Sequence, residues 1–512
     1  MSHLALLKQV SFGSQIAEDE TAELQRYFVE TDQWMRISKG EIDIVRGEKG
    51  AGKSAIYSLL SSQSDQFFDR NILFVTAEKP RGTTVFKDLV TDPPTTEAEF
   101  VVLWKLYIIT IIVHKMREYD IRGDDAQILY GALEESGLLE REFNLSGLLR
   151  LAQTYARRLL QGDFVEGELT FDPNTGLPSG VTARITLKEP IADLRAKGFN
   201  SIDGLLNRAN NALRQAGVKI WVLLDRLDVA FADNHVLEAN AMRALFKVYS
   251  DVRDLEHLEL KIFIREDIWQ RLGVDGMREA SHLTKYVTLT WTPRSLLNLI
   301  IKRILNNQPL VQAFKIDQKS VLESNNDQQQ LFDRLFPDQV ERGPQKSTTF
   351  NWMINRCADG TGRTAPRELI HLLKSIREQE IARLEHGGAS LPDDQLFDRS
   401  VFKLALPEVS KARFFQYLLA EYPDQRDRLQ RLAGAKAEQT QDSLAKIWTV
   451  SREEAASFAQ ELINLGFFIL KSDKKTGEPT YWVPFLYRDA LNLVQGREKD
   501  EEDEQEMFGK AK

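Results

Sequence analysis

The sequence carries its densest chemistry at Gly47-Glu48-Lys49-Gly50-Ala51-Gly52-Lys53-Ser54. An apolar run (Ile42, Ile44, Val45) precedes it and helix-forming residues through Leu60 follow. This is GxxxxGK[ST] in the strand–turn–helix context that the pattern requires. Gly47, Gly50 and Gly52 let the backbone curl so that successive N–H groups face phosphate oxygens. A helix beginning at Lys53 adds its positive dipole end to the same anion. Lys53 suits the β- and γ-phosphates, and the Ser54 hydroxyl suits Mg²⁺. Glu48, Lys49, Ala51 and Ala55 supply the remaining backbone of the cradle. A chance glycine-rich turn is the alternative. The pattern predicts a bound nucleoside triphosphate.

Acidic and basic partners follow at the ends of later apolar runs. Ile220–Leu224 reads as a buried strand with Asp225 at its carboxyl end, where ligands bind in open α/β sheets. A carboxylate there holds Mg²⁺ through water, and Asp228, three residues on, is the candidate to polarise the attacking water. The alternative is two solvated acids in a loop. Leu258–Asp267 is another strand ending in charge, and Arg265 is either a γ-phosphate sensor or a salt-bridge partner. In Asp359–Lys374, Pro366 fits the first turn of a helix, which aims Arg367 from a helix start toward a phosphate.

Positioning these groups takes an α/β core. Asn71–Glu78 and Tyr286–Thr290 complete a set of strands, and Glu97–Met116 reads as a largely buried helix. Ahead of the glycine-rich turn, a loop and an acidic amphipathic helix with Ile16, Leu24, Tyr27 and Phe28 are expected. Phe12-Gly13 either lies over an adenine or packs. Residues 118–200 read as an insertion: helix over Asp124–Gln161, then a β-hairpin around Asp172-Pro173-Asn174-Thr175-Gly176, with Val181, Ala183, Ile185 and Leu187 alternating. A helix starts near Ser295. Residues 306–350 read as loops and short helices.

Gln441–Val450 and Ser451–Gly466 read as helix, turn, helix, with a capping box at Ser451 and Glu454. Strands at Phe467–Leu470 and Thr480–Phe485 then complete a winged helix-turn-helix pattern. Its second helix carries Arg452, Glu453, Glu454 and Glu461, an acidic set that a phosphate backbone repels. Lys471, Lys474 and Lys475 form the concentrated basic group, able to touch phosphates without reading sequence, or merely surface lysines. Residues 497–507 read as an acidic disordered tail.

Composition narrows the class. At 512 residues the chain exceeds one core, and 42% hydrophobic with 28% charged residues is ordinary for a globular protein. A net charge of −9 gives no global signature of nucleic-acid binding. One cysteine, Cys357, excludes an internal disulfide and a multi-cysteine zinc site. The longest apolar run, Phe100–Val113, contains Lys105 and falls short of the ~20 residues a membrane span needs. No cleavable signal pattern opens the chain, so a cytoplasmic location is expected.

GEKGAGKS (47–54), WVLLDRLD (221–228), IFIRED (262–267), GRTAPREL (362–369) and the winged-helix pattern together resemble the P-loop ATPases of the AAA+ and STAND group, specifically prokaryotic relatives of origin-recognition ATPases. The resemblance implies an ATPase using ATP and Mg²⁺, a helical lid carrying Arg367 as sensor 2, and Arg265 as a sensor-1-like residue. It divides the chain into core (1–117), insertion (118–200), core continued (201–293), lid (294–395), winged helix (396–496) and tail (497–512). Asp225 departs from the group's usual pattern, being followed by Arg226 instead of Glu, whereas Asp228 has the offset seen in STAND sequences. The resemblance implies slow, switch-like hydrolysis and a link to genome maintenance or anti-phage defence. Double-stranded DNA, a protein effector and a second copy of the chain remain open as partners. The rival reading is a non-hydrolysing ATP-bound scaffold whose winged helix binds protein.

Overall fold

A computed structural model describes residues 2–14, 20–77, 96–139, 145–161, 170–171, 178–180, 185–187, 200–226, 235–274, 283–392, 394–473 and 477–497. By contacts the chain divides into two units. One comprises Glu30–Glu48 and Gly52–Leu289; the other comprises Met1–Val29, Lys49–Ala51 and Thr290–Lys512.

The first unit is built on five parallel strands: β1 (Ile44–Gly47), β2 (Ile72–Thr76), β7 (Lys219–Leu224), β8 (Leu258–Arg265) and β9 (Tyr286–Thr288), in the order β2-β7-β8-β1-β9. Among the described residues between β2 and β7 lie four short strands. β3 (Thr170–Phe171) pairs antiparallel with β4 (Pro178–Gly180), and β5 (Ile185–Thr186) pairs parallel with β6 (Asn200–Ser201). The expected hairpin therefore has its pairing at β3 and β4. Val181 and Ala183 lie outside the described residues, and Ile185 belongs to a separate parallel pair.

The central strands are apolar on both faces because helices cover both, the usual setting of a parallel sheet. Residues Ile220 to Leu224 are all buried. The helix Glu97–Glu118 opens with a Thr96/Glu99 capping box and is buried around most of its circumference. Its buried Lys105 is tolerated because Asp203 and Asp251 pair with it at 2.7 and 2.6 Å. Toward the amino ends of the strands a second charge is buried. Lys261, 1% exposed, donates to Asp43 Oδ1 at 2.7 Å and Ile42 O at 3.1 Å, under the Trp221 ring at 4.3 Å. The Tyr249 hydroxyl donates to the other Asp43 oxygen at 2.9 Å.

The second unit is largely helical. The helix His3–Gln9, too short at seven residues to show a period, is capped by Ser2. Leu6 and Leu7 join an apolar core with Leu369, Leu372, Leu373 and Ile376 of the helix Pro366–Glu385. Residues 306–350 contain three helices, Gln308–Ala313, Gln318–Glu323 and Asn325–Leu335. Phe12 is buried with its ring 6.2 Å from that of Phe397, which is the packing role. Ile16 lies outside the described residues.

Toward the carboxyl end, β10 (Lys436–Thr440) leads into the helices Gln441–Trp448 and Arg452–Asn464. Thr449, at φ 61°, turns the chain between them, and Ser451 and Glu454 form a complete capping box. β11 (Ile469–Ser472) and β12 (Pro479–Trp482) pair antiparallel, and β13 (Val494–Arg497) closes the order β11-β12-β10-β13. Phe467 and Phe468 are buried ahead of the strand, and Phe485 starts a short helix after Pro484. The architecture is thus an α/β fold on a parallel sheet, with a carboxyl-terminal helical and β region resembling a winged helix. Among the described residues no helix is long and apolar enough to cross a membrane. Residues beyond Arg497, where an acidic tail is expected, lie outside those described.

Candidate nucleotide site

β1 ends at Gly47 and the helix Lys53–Ser62 begins six residues later. Between them Gly50 and Gly52 take φ of 83° and 101°, left-handed values that a side chain would strain. Gly52 is also the N-cap and provides no side-chain acceptor. The first-turn N–H groups, which have no partner within a helix, are therefore not engaged by a cap. Lys53 Nζ donates to Gly47 O at 2.7 Å and Glu48 O at 3.0 Å, which holds the ammonium over the loop.

Ser54 Oγ donates to Asp225 Oδ2 at 3.0 Å, joining residues 171 positions apart. Asp225 is 4% exposed and immediately follows β7. β8 lies between β1 and β7, so the two strands do not pair directly. Arg265, the last residue of β8, stands in register with Gly47. Its guanidinium is bidentate to Asp267, with Nε at 3.0 Å and Nη2 at 2.8 Å. Arg226, directly after Asp225, has φ 58°, a conformation that costs a bulky L-residue energy. Asp228 lies outside the described residues.

The donor set fits a magnesium nucleotide. Among the described residues no group of three or more His, Cys, Asp or Glu is placed to hold a metal. Mg²⁺ seldom requires such a cage: one or two protein oxygens, waters and substrate phosphates complete its octahedron. A hydroxyl and one buried carboxylate in contact, beside a left-handed glycine loop and a lysine, meet that requirement.

The loop tip, Lys49–Ala51, groups by contacts with the second unit. Trp291 Nε1 donates to Ala51 O at 2.8 Å. A Cβ on Gly50 would stand 3.0 Å from the Cβ of Arg367, so no larger residue fits there without movement. Arg367 follows Pro366 in the first turn of Pro366–Glu385. Its Nε and Nη1 are buried without a hydrogen-bond partner among the described residues, and its guanidinium lies 4.9 Å from the Tyr417 ring centre. The next residue, Glu368, accepts from Arg413 at 3.0 Å.

Three residues around the tip are absent from the sequence reading. Tyr417 lies under both Arg367 and Lys49, Glu421 accepts a hydrogen bond from Lys49, and Arg413 anchors Glu368. Arg413 and Tyr417 share one π-helical turn, Ala412–Leu418, a form often found at functional positions. Nothing local signals the Lys49–Glu421 pair, whose members are 372 residues apart.

In the winged-helix-like region Lys471 lies 3.9 Å from the Trp482 ring centre, while Lys474 and Lys475 lie outside the described residues. Arg452 pairs with Glu478 at 3.0 Å and Asp442 at 3.5 Å. The helix Arg452–Asn464 therefore presents little uncompensated positive charge.

No family model matches the chain, and no curated protein matches it. Two solved structures align over most of its length. The Aeropyrum pernix ORC2 protein (ADPNP–ADP complexes) is 12% identical, with 90% of each chain covered and a TM-score of 0.36. The Drosophila ORC bound to DNA is 12% identical, covering 96% of this chain and 90% of that one, with a TM-score of 0.28. At such scores neither likeness bears on what this chain binds or does.

Proposed function

We propose that the chain is an ATP-binding and ATP-hydrolysing switch, its output being engagement of DNA or of a partner protein. The observation that carries the reading is the 3.0 Å contact of Ser54 with buried Asp225 beside a glycine-rich loop and Lys53. On this reading the loop N–H groups and Lys53 bind the phosphates, while Ser54 and Asp225 are the residues that would hold a magnesium ion. Mg²⁺, when bound, neutralises charge on the phosphate oxygens. Asp228 accepts the proton of the attacking water. Arg265 and Arg367 answer to the γ-phosphate, Arg265 by exchanging Asp267 and Arg367 from a helix start. The unpartnered buried Nε and Nη1 of Arg367 support its share of the role, since a buried guanidinium without an acceptor is costly.

Phosphate release from ATP by the intact chain tests this, comparing wild type with Lys53→Ala and Asp228→Ala, with and without duplex DNA. Turnover lost in both variants is expected. Tight ATP binding without turnover under any condition would leave the scaffold reading instead. The acidic helix Arg452–Asn464 favours a protein over DNA as the partner of the winged-helix-like region. Duplex affinity at two salt concentrations, with Lys471, Lys474 and Lys475 changed to Glu, decides that point: a salt-dependent loss on substitution assigns the contact to DNA.

A further inference from the structure

Lys49 is one of the residues between the two glycines that bound the phosphate loop, yet its ammonium is held by protein. It donates to the carboxylate of Glu421 and lies 5.0 Å from the centre of the Tyr417 ring. Glu421 ends the helical run that follows the π-helical turn, and its side chain is only 14% exposed. A largely buried carboxylate against a loop built to receive phosphates is electrostatically unfavourable for any phosphate ligand. It is tolerable here because Lys49 neutralises it.

From this arrangement we infer that Glu421 is a competitor for the phosphate loop. It occupies the Lys49 ammonium, and a bound triphosphate takes that ammonium over and releases Glu421 together with the turn that carries Tyr417. The inference rests on the nucleotide-binding reading and adds its regulation. The same turn carries Arg413, whose partner Glu368 adjoins Arg367. Release at Glu421 therefore reaches the start of the helix Pro366–Glu385 and the segment leading to the winged-helix-like region. No covalent step is involved. One ion pair is exchanged for another, and the freed carboxylate goes to solvent.

Two measurements on the intact chain test it. Calorimetric titration with ATPγS and Mg²⁺ is expected to show Glu421→Gln binding roughly tenfold tighter than wild type, since the competitor loses its charge while keeping its shape. Lys53→Ala should abolish binding in either background. Glu421→Gln binding no tighter than wild type, with Lys53→Ala still blocking, overturns the competitor and leaves the nucleotide reading standing. No binding by wild type overturns both. The second measurement needs no variant: hydrogen exchange over residues 412–421 with and without ATPγS. Faster exchange with nucleotide is expected, and unchanged or slower exchange overturns the inference.

Discussion

The two ends of the parallel sheet treat charge in opposite ways. Toward the amino ends, Asp43 and Lys261 are buried together, with Tyr249 on the second carboxylate oxygen and Trp221 over the ammonium. The cluster joins Asp43 just before β1, Lys261 of β8, which also pairs with Glu259 of its own strand at 2.8 Å, and Tyr249 of the helix His235–Val252, and so ties those elements together. At the carboxyl ends, Lys53 bonds to backbone carbonyls of its own loop, Ser54 meets Asp225, and Arg265 pairs with a residue two positions away. Those contacts surround Gly50 and Gly52, whose left-handed backbone sets the chain path. A charge clamped between elements in the interior serves the fold; a charge beside a glycine-rich turn is placed to meet a ligand.

Separating function from stability is the most direct way to break this contrast. Asp225→Asn and Lys53→Ala are expected to lower ATP turnover by about 10²- to 10³-fold, equivalent to about 3–4 kcal/mol of transition-state stabilisation, with little change in melting temperature. A parallel loss of stability would mean that the carboxyl-end charges also hold the fold. Lys261→Met should do the reverse. Leaving Asp43 buried without its main partner costs about 3–5 kcal/mol in chemical denaturation, while the ATP affinity of the folded fraction stays that of wild type.

A finer test uses Tyr249→Phe, which removes one hydrogen bond and is expected to cost about 1 kcal/mol. Burial first, and then the Asp43 carboxylate, raise the Tyr249 hydroxyl above the usual tyrosine value. A group whose folded value is raised gives stability that is complete below its unfolded value, near 10, and is lost as pH rises through the folded value. The wild-type chain should therefore lose stability above pH 10 more steeply than Tyr249→Phe. Equal slopes in denaturant melts would remove Tyr249 from the locked cluster. The smallest effect is expected for Asp267→Asn: the partly exposed pair with Arg265 contributes at most about 1 kcal/mol, so a larger loss would place Arg265 with the locked charges.

Legibility in the sequence followed the same division. The glycine-rich turn was readable because its residues are contiguous: glycines, Lys53 and Ser54 fall within eight residues, between the strand and the helix that the structure shows. Asp225 was readable because it ends an apolar run, and Pro366 and the Ser451/Glu454 box because capping is local. The buried pairs were not. Lys261 interrupts LELKIFIRED as any strand lysine would, and Asp43, its partner, is 218 residues away. Arg303, near the end of the helix Pro293–Leu305, is 4% exposed and paired with Glu20 at 3.0 Å, 283 residues away. The Lys49–Glu421 contact spans 372 residues with no spacing rule to announce it. Short helices such as His3–Gln9 escaped because seven residues barely complete two turns.

The helix Pro366–Glu385 has the length of a lever arm. At 1.5 Å per residue its 20 residues reach about 30 Å, so a tilt of about 5° at Arg367 displaces the far end by roughly 2.6 Å. The chain's amino terminus is tied along that far stretch: Arg377 donates to Leu7 O at 2.9 Å, and Lys8 pairs with Glu385 at 2.7 Å. A shift too small to notice at Arg367 would be, at the tied end, nearly the length of a hydrogen bond, and the first helix of the chain would travel with it.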